Sequence, residues 1–229
     1  MPQPDLVIFD CDGTLVDSEV IAARVDTELL AEAGVEIEIE DFIPRYAGLT
    51  FTETVLQIEQ EYKVPLQASI IDRAKEILDR RLATQVQEIE GARAAVIGVR
   101  GPKCVCSNSA PERLQAMLER TGLLPLFGGN VFSARDLPSQ KPKPAPDIFL
   151  HAAERMGADP ANSFAIEDSA HGVVAARRAG MRVVGFTGGG HYWPGHADAL
   201  TDAGAETVIR RWADLPAVLA ALSEWSEAE

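Results

Sequence analysis

Two aspartates separated by one residue follow a short apolar run near the N-terminus. Leu6–Phe9 is entirely apolar, and Asp10 and Asp12 come directly after it. A carboxylate can attack phosphorus and form an aspartyl-phosphate, which divides one difficult displacement into two easier steps. A second carboxyl group nearby can protonate the leaving oxygen and then deprotonate the water that hydrolyses the intermediate. We therefore predict that Asp10 is a nucleophile and that Asp12 is the general acid and base of a phosphoryl transfer.

An acidic pair after another apolar run predicts a metal site. Glu167 and Asp168 directly follow the strand-like segment Ser163–Ile166. Two carboxylates and a phosphate dianion repel one another, so a pocket that holds them needs a counter-charge, which Mg²⁺ supplies through oxygen ligands. We expect Asp168, with support from Glu167, to join Asp10 in binding Mg²⁺.

Three further groups are suited to holding a phosphate. Ser107 follows the strand-like segment Lys103–Cys106, and its hydroxyl can donate a hydrogen bond to a phosphate oxygen. Gly13 allows a tight turn whose backbone N–H groups can face the phosphate. A lysine in a proline-rich loop supplies positive charge. Lys143 is the candidate, and Lys141 is its competitor.

These groups meet only if the chain forms a parallel sheet. After Gly91, short apolar runs alternate with helical segments, which indicates parallel strands joined by right-handed crossovers. Ligands of such sheets bind beyond the carboxyl ends of the strands, so the candidates should gather at one edge. The predicted strands are Leu6–Phe9, Lys103–Cys106, Asn130–Ser133, Ser163–Ile166, Arg182–Phe186 and Thr207–Ile209. The predicted helices are Ser18–Ala33, Thr52–Tyr62, Ser69–Leu82, one opened by a capping box at Ser109 and running through Arg120, Pro146–Met156, Ala170–Ala179, and one opened by Asp214.

The composition excludes several classes of protein. The 229-residue chain has a formal net charge of −14, so it lacks the basic footprint that nucleic acid requires. It contains no apolar run of the roughly 18 residues that a membrane span needs. No secretory signal is apparent, so the cytoplasm is the expected location. A monomer that acts on a small phosphorylated metabolite is the default expectation.

Four motifs, in order, resemble those of the haloacid dehalogenase (HAD) superfamily. They are Asp10-Cys11-Asp12-Gly13-Thr14, Val105-Cys106-Ser107-Asn108-Ser109, Lys143-Pro144-Ala145-Pro146-Asp147, and Glu167-Asp168-Ser169 followed by Gly172. The resemblance is nearest to the capped branch that contains phosphoglycolate phosphatases, sugar-phosphate phosphatases and β-phosphoglucomutase. It implies an α/β fold with a Rossmann-like core, residues 1–16 and 92–229, and an inserted α-helical cap, residues 17–91.

The same resemblance implies roles for individual residues. The third motif begins with its lysine, and this position is Lys143 and not Lys141. The implied roles are catalysis by Asp10 and Asp12, phosphate binding by Ser107, Asn108, Lys143 and Gly13, and Mg²⁺ binding by Asp10, Asp168, Glu167 and the main-chain carbonyl of Asp12. The implied activity is hydrolysis of a small phosphate ester such as a sugar phosphate, with 6-phosphogluconate ahead of phosphoglycolate.

Candidates for substrate specificity lie in the cap segment. Glu19 is expected at its start, and Arg45 is a cationic candidate beside Gly48, Leu49 and Thr50, which occupy the place of a recognition loop in relatives. Outside the cap, His191 and His196 stand in a glycine-rich loop after the fifth predicted strand. Substrate contact, zinc binding and a plain surface loop remain open for them.

Two other functions are weighed against hydrolysis. A mutase of the β-phosphoglucomutase type carries a histidine in the first cap helix and a basic residue in the recognition loop. Here Ile21-Ala22-Ala23 and Phe51 stand at those places, so hydrolysis is favoured. A phospho-accepting signalling module would share the strand-end aspartate and lysine. It would lack the second carboxylate at Asp12 and the inserted cap.

Overall fold

The computed structural model describes residues 3–47, 49–66 and 69–225, and it contains a six-stranded parallel sheet. The strands are β1 (Leu6–Phe9), β2 (Lys103–Ser107), β3 (Val131–Ser133), β4 (Ser163–Glu167), β5 (Arg182–Phe186) and β6 (Thr207–Ile209). Their spatial order is β3-β2-β1-β4-β5-β6. The predicted α/β class with a Rossmann-like parallel sheet is confirmed.

Ten α-helices lie within the described residues. They are α1 (Ser18–Glu32), α2 (Ile39–Tyr46), α3 (Phe51–Tyr62), α4 (Ser69–Gln85), α5 (Ala92–Gly98), α6 (Pro111–Arg120), α7 (Asp147–Met156), α8 (Ala170–Arg178), α9 (His196–Asp202) and α10 (Leu215–Trp225). Helices α2, α5 and α9 were not predicted from the sequence, because segments of seven or eight residues are too short to reveal a helical period. Within the described residues, no helix has the length and apolar character needed to cross a bilayer.

The central strand β1 is buried on both faces. Leu6 and Ile8 join a hydrophobic cluster with α7 and α8, whereas Val7 and Phe9 join a second cluster with α5, α6 and α10. Side chains alternate between the faces of a strand, so an uninterrupted apolar run is what a sheet covered on both sides requires. Full burial of each such side chain stabilises the fold by about 1.5–3 kcal/mol.

The register of the strands sets the position of the candidate site. Phe9 of β1 lies beside Val105 of β2 and Ile166 of β4. The main-chain N–H of Asp10 donates to the carbonyl of Ile166 at 3.0 Å. The polar residues that follow the three apolar runs therefore emerge side by side at the carboxyl edge of the sheet.

Helices α1 to α4 enclose a hydrophobic cluster of their own. Its fully buried members include Val25, Leu30 and Ile58. The half-buried Leu78 of α4 packs against both this cluster and the α5–α6 side of the sheet. The segment between β1 and α5 thus has a separate apolar centre while contacting the sheet layer.

One predicted helix cap is wrong. Ser109 was expected to open a capping box for α6, but α6 begins at Pro111 and has no side-chain cap. Pro111 has no N–H to satisfy at that position. The hydroxyl of Ser109 donates instead to the carboxylate of Asp12, because a charged acceptor forms the stronger hydrogen bond.

Candidate active site

Lys143 connects two carboxylates at the carboxyl edge of the sheet. Its Nζ atom lies 2.5 Å from Oδ1 of Asp10 and 2.6 Å from Oε1 of Glu167. It also donates to the main-chain carbonyl of Cys106 at 2.8 Å. Lys143 is buried, whereas Lys141 is exposed, so the structure brings only the former of the two predicted lysines into this cluster.

Burial and opposite charge act against each other in this cluster. Burial alone would lower the pKa of Lys143, but the carboxylates of Asp10 and Glu167 outweigh it and raise that pKa. Burial raises the pKa of Asp10 well above its usual value, and Lys143 opposes the rise. Burial likewise raises the pKa of Glu167 to about 7, with Lys143 again opposing. The ammonium group therefore offsets part of the cost of burying these two carboxylates.

Asp12 is held by three hydroxyl groups. Its Oδ1 atom accepts from Ser18 at 2.9 Å, and its Oδ2 atom accepts from Ser107 at 3.0 Å and Ser109 at 2.8 Å. Ser18 is the first residue of α1, while the other two belong to the β2 end. The carboxylate of Asp12 thus connects the helical segment to the sheet edge in a fixed orientation.

Ser107 and Asn108 contact neighbouring protein groups. The Ser107 hydroxyl accepts from the N–H of Ser109 at 2.9 Å and uses its single proton on Asp12. Binding of a phosphate oxygen by that hydroxyl would require the proton to turn away from Asp12. The Oδ1 atom of Asn108 accepts from the main-chain N–H of Lys143 at 2.8 Å. Asn108 therefore holds the loop that delivers the lysine.

Asp168 receives hydrogen bonds on all its oxygens. Its Oδ1 atom accepts from the hydroxyl of Thr14 at 3.2 Å, and its Oδ2 atom lies 3.0 Å from Nε2 of His191. Its main-chain oxygen lies 2.6 Å from Nε2 of His196. Gly13 has a φ of +71°, and a Cβ there would overlap Asp168 Oδ2. Only glycine permits this close packing of the two motifs.

The acidic residues fit a hard divalent cation. Asp10, Glu167 and Asp168 each offer an oxygen, and these atoms lie within 4.8 Å of one another. All three side chains are buried. Carboxylate oxygen is the donor that Mg²⁺ prefers, and an all-oxygen set does not suit a soft metal ion.

The residues predicted for specificity contact different neighbours. Glu19 is an exposed residue of the first turn of α1. Arg45 pairs with Glu61 at 2.7 Å on the surface. Leu49 is exposed, Thr50 forms the N-terminal capping box of α3, and Gly48 lies outside the described residues.

Several contacts of the site were missed from the sequence. Ser109 was interpreted as a helix cap although it directly follows the Ser107-Asn108 pair, and Thr14 was given no side-chain role.

Asp26 of α1 is half-buried and has no hydrogen-bond or ion-pair partner among the described residues. Burial is the main cause that raises its pKa to about 8, and the charge of Glu19 adds to the rise. The signal for Asp26 was its helical spacing of seven residues from Glu19, which places both on one side of α1.

Comparison with known proteins identifies the family. Residues 4–180 match the model of the haloacid dehalogenase-like hydrolases. This span covers more than half of the chain, and the protein therefore belongs to the haloacid dehalogenase-like hydrolase family. The predicted superfamily is confirmed.

Three relatives are similar along most of their length. A conserved haloacid dehalogenase-like protein of unknown function from Agrobacterium tumefaciens strain C58 is 52% identical, with a TM-score of 0.93 over 96% of this chain and 99% of that one. A HAD-family hydrolase from Deinococcus radiodurans R1, solved with bound phosphate and sodium, is 32% identical, with a TM-score of 0.83 over 94% and 95%. The 6-phosphogluconate phosphatase of Escherichia coli strain K12 is 32% identical over 197 residues, 85% of this chain and 87% of the relative.

Proposed function

We propose that the protein is a Mg²⁺-dependent phosphatase that hydrolyses a small phosphate monoester through an aspartyl-phosphate on Asp10. The observation that carries this proposal is the buried contact of Asp10 with Lys143 beside Glu167 and Asp168. It joins a nucleophile, a cation and oxygen ligands at one sheet edge. A phosphatase relative at 32% identity, and a relative that holds phosphate with a cation, support the same chemistry.

The first half-reaction transfers the phosphoryl group to the protein. A carboxylate oxygen of Asp10 bonds to phosphorus while the bond from phosphorus to the ester oxygen breaks. Asp12, in its protonated form, gives its proton to that oxygen, so the alcohol leaves neutral. Lys143, within 2.5 Å of Asp10, holds the nucleophile and balances the charge of the phosphate.

The second half-reaction restores the protein. Asp12, now ionised and stabilised by its three hydroxyl donors, takes a proton from water. The water oxygen bonds to phosphorus, the bond from phosphorus to Asp10 breaks, and inorganic phosphate leaves. Asp12 is then protonated and Asp10 ionised, as at the start.

The acidic residues would hold the metal in this scheme. Asp10, Asp168 and the main-chain carbonyl of Asp12 are the proposed ligands, and Glu167 completes the acidic set. Mg²⁺, when bound, neutralises phosphate charge and makes phosphorus more open to attack. Lys143 stays necessary, because Asp10 and Glu167 are buried side by side with it.

We propose residues 17–91 as a cap that encloses a small substrate and excludes water. The separate hydrophobic cluster of α1 to α4 supports this assignment, as does the hydrogen bond that the hydroxyl of Ser18 donates to the carboxylate of Asp12. The proposed substrate is a sugar phosphate, with a 6-phosphogluconate-like compound ahead of phosphoglycolate. A mutase is disfavoured because Ile21 packs against the sheet cluster and Phe51 against the cap cluster, and neither position offers a base or a cation.

Turnover of p-nitrophenyl phosphate with and without Mg²⁺, followed by a panel of phosphorylated sugars, sugar acids and phosphoglycolate, tests the proposal. We expect Mg²⁺-dependent release of inorganic phosphate, abolished by Asp10→Asn. The matched control is Asp5→Asn, which alters an aspartate at the opposite end of β1 and should retain full activity. Turnover by Asp10→Asn, or isomerisation without release of phosphate, would refute the proposed reaction.

A further inference from the structure

The loop between β5 and α9 holds Asp168 at two points. Nε2 of His191 lies 3.0 Å from the carboxylate Oδ2, and Nε2 of His196 lies 2.6 Å from the main-chain oxygen. A carboxylate and a carbonyl can only accept, so Nε2 is the donor in both contacts. Two imidazole rings from one loop are therefore directed at a single residue of the acidic site.

The two rings make no other hydrogen bond among the described residues. Nδ1 of His191 and Nδ1 of His196 are both buried without a partner. Neither Nδ1 atom offers a competing contact among the described residues, so the hydrogen bond that orients each ring is the one through Nε2. Within the described part of the chain, Asp168 is thus the hydrogen-bond partner that determines where each ring points.

The pocket for His191 is built from glycine. A Cβ on Gly13 would lie 2.7 Å from Cε1 of His191, and a Cβ on Gly189 would lie 2.7 Å from both Cε1 and Nδ1. Real Cβ atoms do not approach other atoms so closely, so any larger residue at either position would displace the ring. The ring of His196 is packed differently, because Trp193 stacks on it with ring centroids 5.5 Å apart and an interplanar angle of 12°.

Asp168 needs such donors because two other buried carboxylates lie close to it. Its ligand oxygen lies within 4.8 Å of those of Asp10 and Glu167, all three being buried. Lys143 forms ion pairs with Asp10 and Glu167, and none with Asp168 among the described residues. Like charge would therefore push Asp168 away from the other two carboxylates unless other groups held it.

We propose that His191 and His196 are positioning residues that hold Asp168 in the orientation in which it binds the metal. Outer hydrogen-bond partners of this kind set the geometry and affinity of a metal ligand without contacting the metal. The inference rests on the proposed function, because it takes the acidic cluster to be a Mg²⁺ site. It assigns to the two histidines neither substrate contact nor direct metal binding.

The test is isothermal titration calorimetry with MgCl₂ on His191→Leu and His191→Gln. Leucine fills space but has no donor, and we expect the dissociation constant for Mg²⁺ to rise about 10- to 100-fold. Glutamine places an amide N–H near the position of Nε2, so its affinity should stay close to that of the unsubstituted protein. The control is His151→Leu, which removes a histidine of α7 whose ring packs against Phe132, and it should leave the affinity unchanged.

The outcomes separate this inference from the function on which it rests. No binding by the unsubstituted protein would overturn the Mg²⁺ site and the inference together. Normal binding by that protein with equal or tighter binding by His191→Leu would overturn the inference alone. Should His191→Leu not fold, Gly189→Ala displaces the ring while keeping the histidine. A weaker affinity in Gly189→Ala would support the inference, and an unchanged one would overturn it.

Discussion

The Nζ atom of Lys143 lies 2.5 Å from Oδ1 of Asp10, and both side chains are buried. Water that would otherwise screen these charges is excluded, so each depends on the other for its ionised form. The proposed nucleophile and its counter-ion therefore act as one unit. Loss of either partner leaves a buried charge without compensation.

Substitution of the lysine should reveal that dependence. In Lys143→Met the carboxylates of Asp10 and Glu167 remain buried side by side, and we expect the free energy of unfolding to fall by about 3–5 kcal/mol. Urea denaturation followed by circular dichroism measures it. Lys141→Met, at an exposed position in the same loop, should change stability by less than about 0.5 kcal/mol. Equal stability of the two variants would contradict the prediction.

The proposed role of Asp12 predicts which half-reaction fails first. A p-nitrophenyl leaving group needs little protonation, so Asp12→Asn should still form the aspartyl-phosphate from p-nitrophenyl phosphate. Activation of water does need the base, so the second step should slow by about 10²–10⁴-fold. Stopped-flow measurement should show a burst of one nitrophenol per protein and then slow turnover. A slow rate with no burst would assign the defect to the first step instead.

Asp26 should make stability depend on pH. Its pKa is raised to about 8 by burial, so the folded state holds the proton more tightly than the unfolded chain does. Stability is therefore lost as the pH rises from about 4 to 8, by at most about 1.4 kcal/mol per pH unit for this group. The free energy of unfolding of Asp26→Asn, relative to that of the unsubstituted protein, should increase across that range and stay constant above it. Urea denaturation at several pH values measures it, and Asp41→Asn, at an exposed position of α2, is the control.

An ion pair between α6 and α4 should contribute little to stability. Nε of Arg113 lies 2.6 Å from Oδ1 of Asp79, with side chains 22% and 44% exposed. Solvent screens such a pair, and a double-mutant cycle with Arg113→Ala and Asp79→Ala should give a coupling of at most about 1 kcal/mol. The coupling should shrink in 1 M NaCl, where charges are screened over roughly 3 Å. A larger coupling that salt leaves unchanged would indicate packing in place of charge.

Metal removal should lower thermal stability through mass action. A ligand that binds only the folded state stabilises it by about 2.7 kcal/mol at a concentration one hundred times its dissociation constant. Differential scanning fluorimetry should therefore show a higher melting temperature in Mg²⁺ than in EDTA. Asp168→Asn should lose this difference, because it replaces a charged ligand by a neutral one. A shift of equal size in Asp168→Asn would place the ion elsewhere.

The sequence by itself was enough to predict the sheet and the residues at its edge. Leu6–Phe9 and Phe164–Ile166 are apolar throughout, and a polar residue directly after such a run has to emerge where the strand ends. The parallel order of the strands then brought Asp10, Glu167 and Asp168 together, as expected. This prediction succeeded because it needed only local patterns and one general rule of parallel sheets.

Only the tertiary structure decided how the groups at that edge support one another. Ser109 bonds to Asp12 and does not cap α6, and His191 and His196 bond to Asp168. The oxygens of Asp12 and Asp168 accept hydrogen bonds from residues that are distant in sequence, on loops whose approach depends on glycines and helix packing. No local period records such contacts, because their energies depend on which buried oxygens lack a donor once the chain has folded.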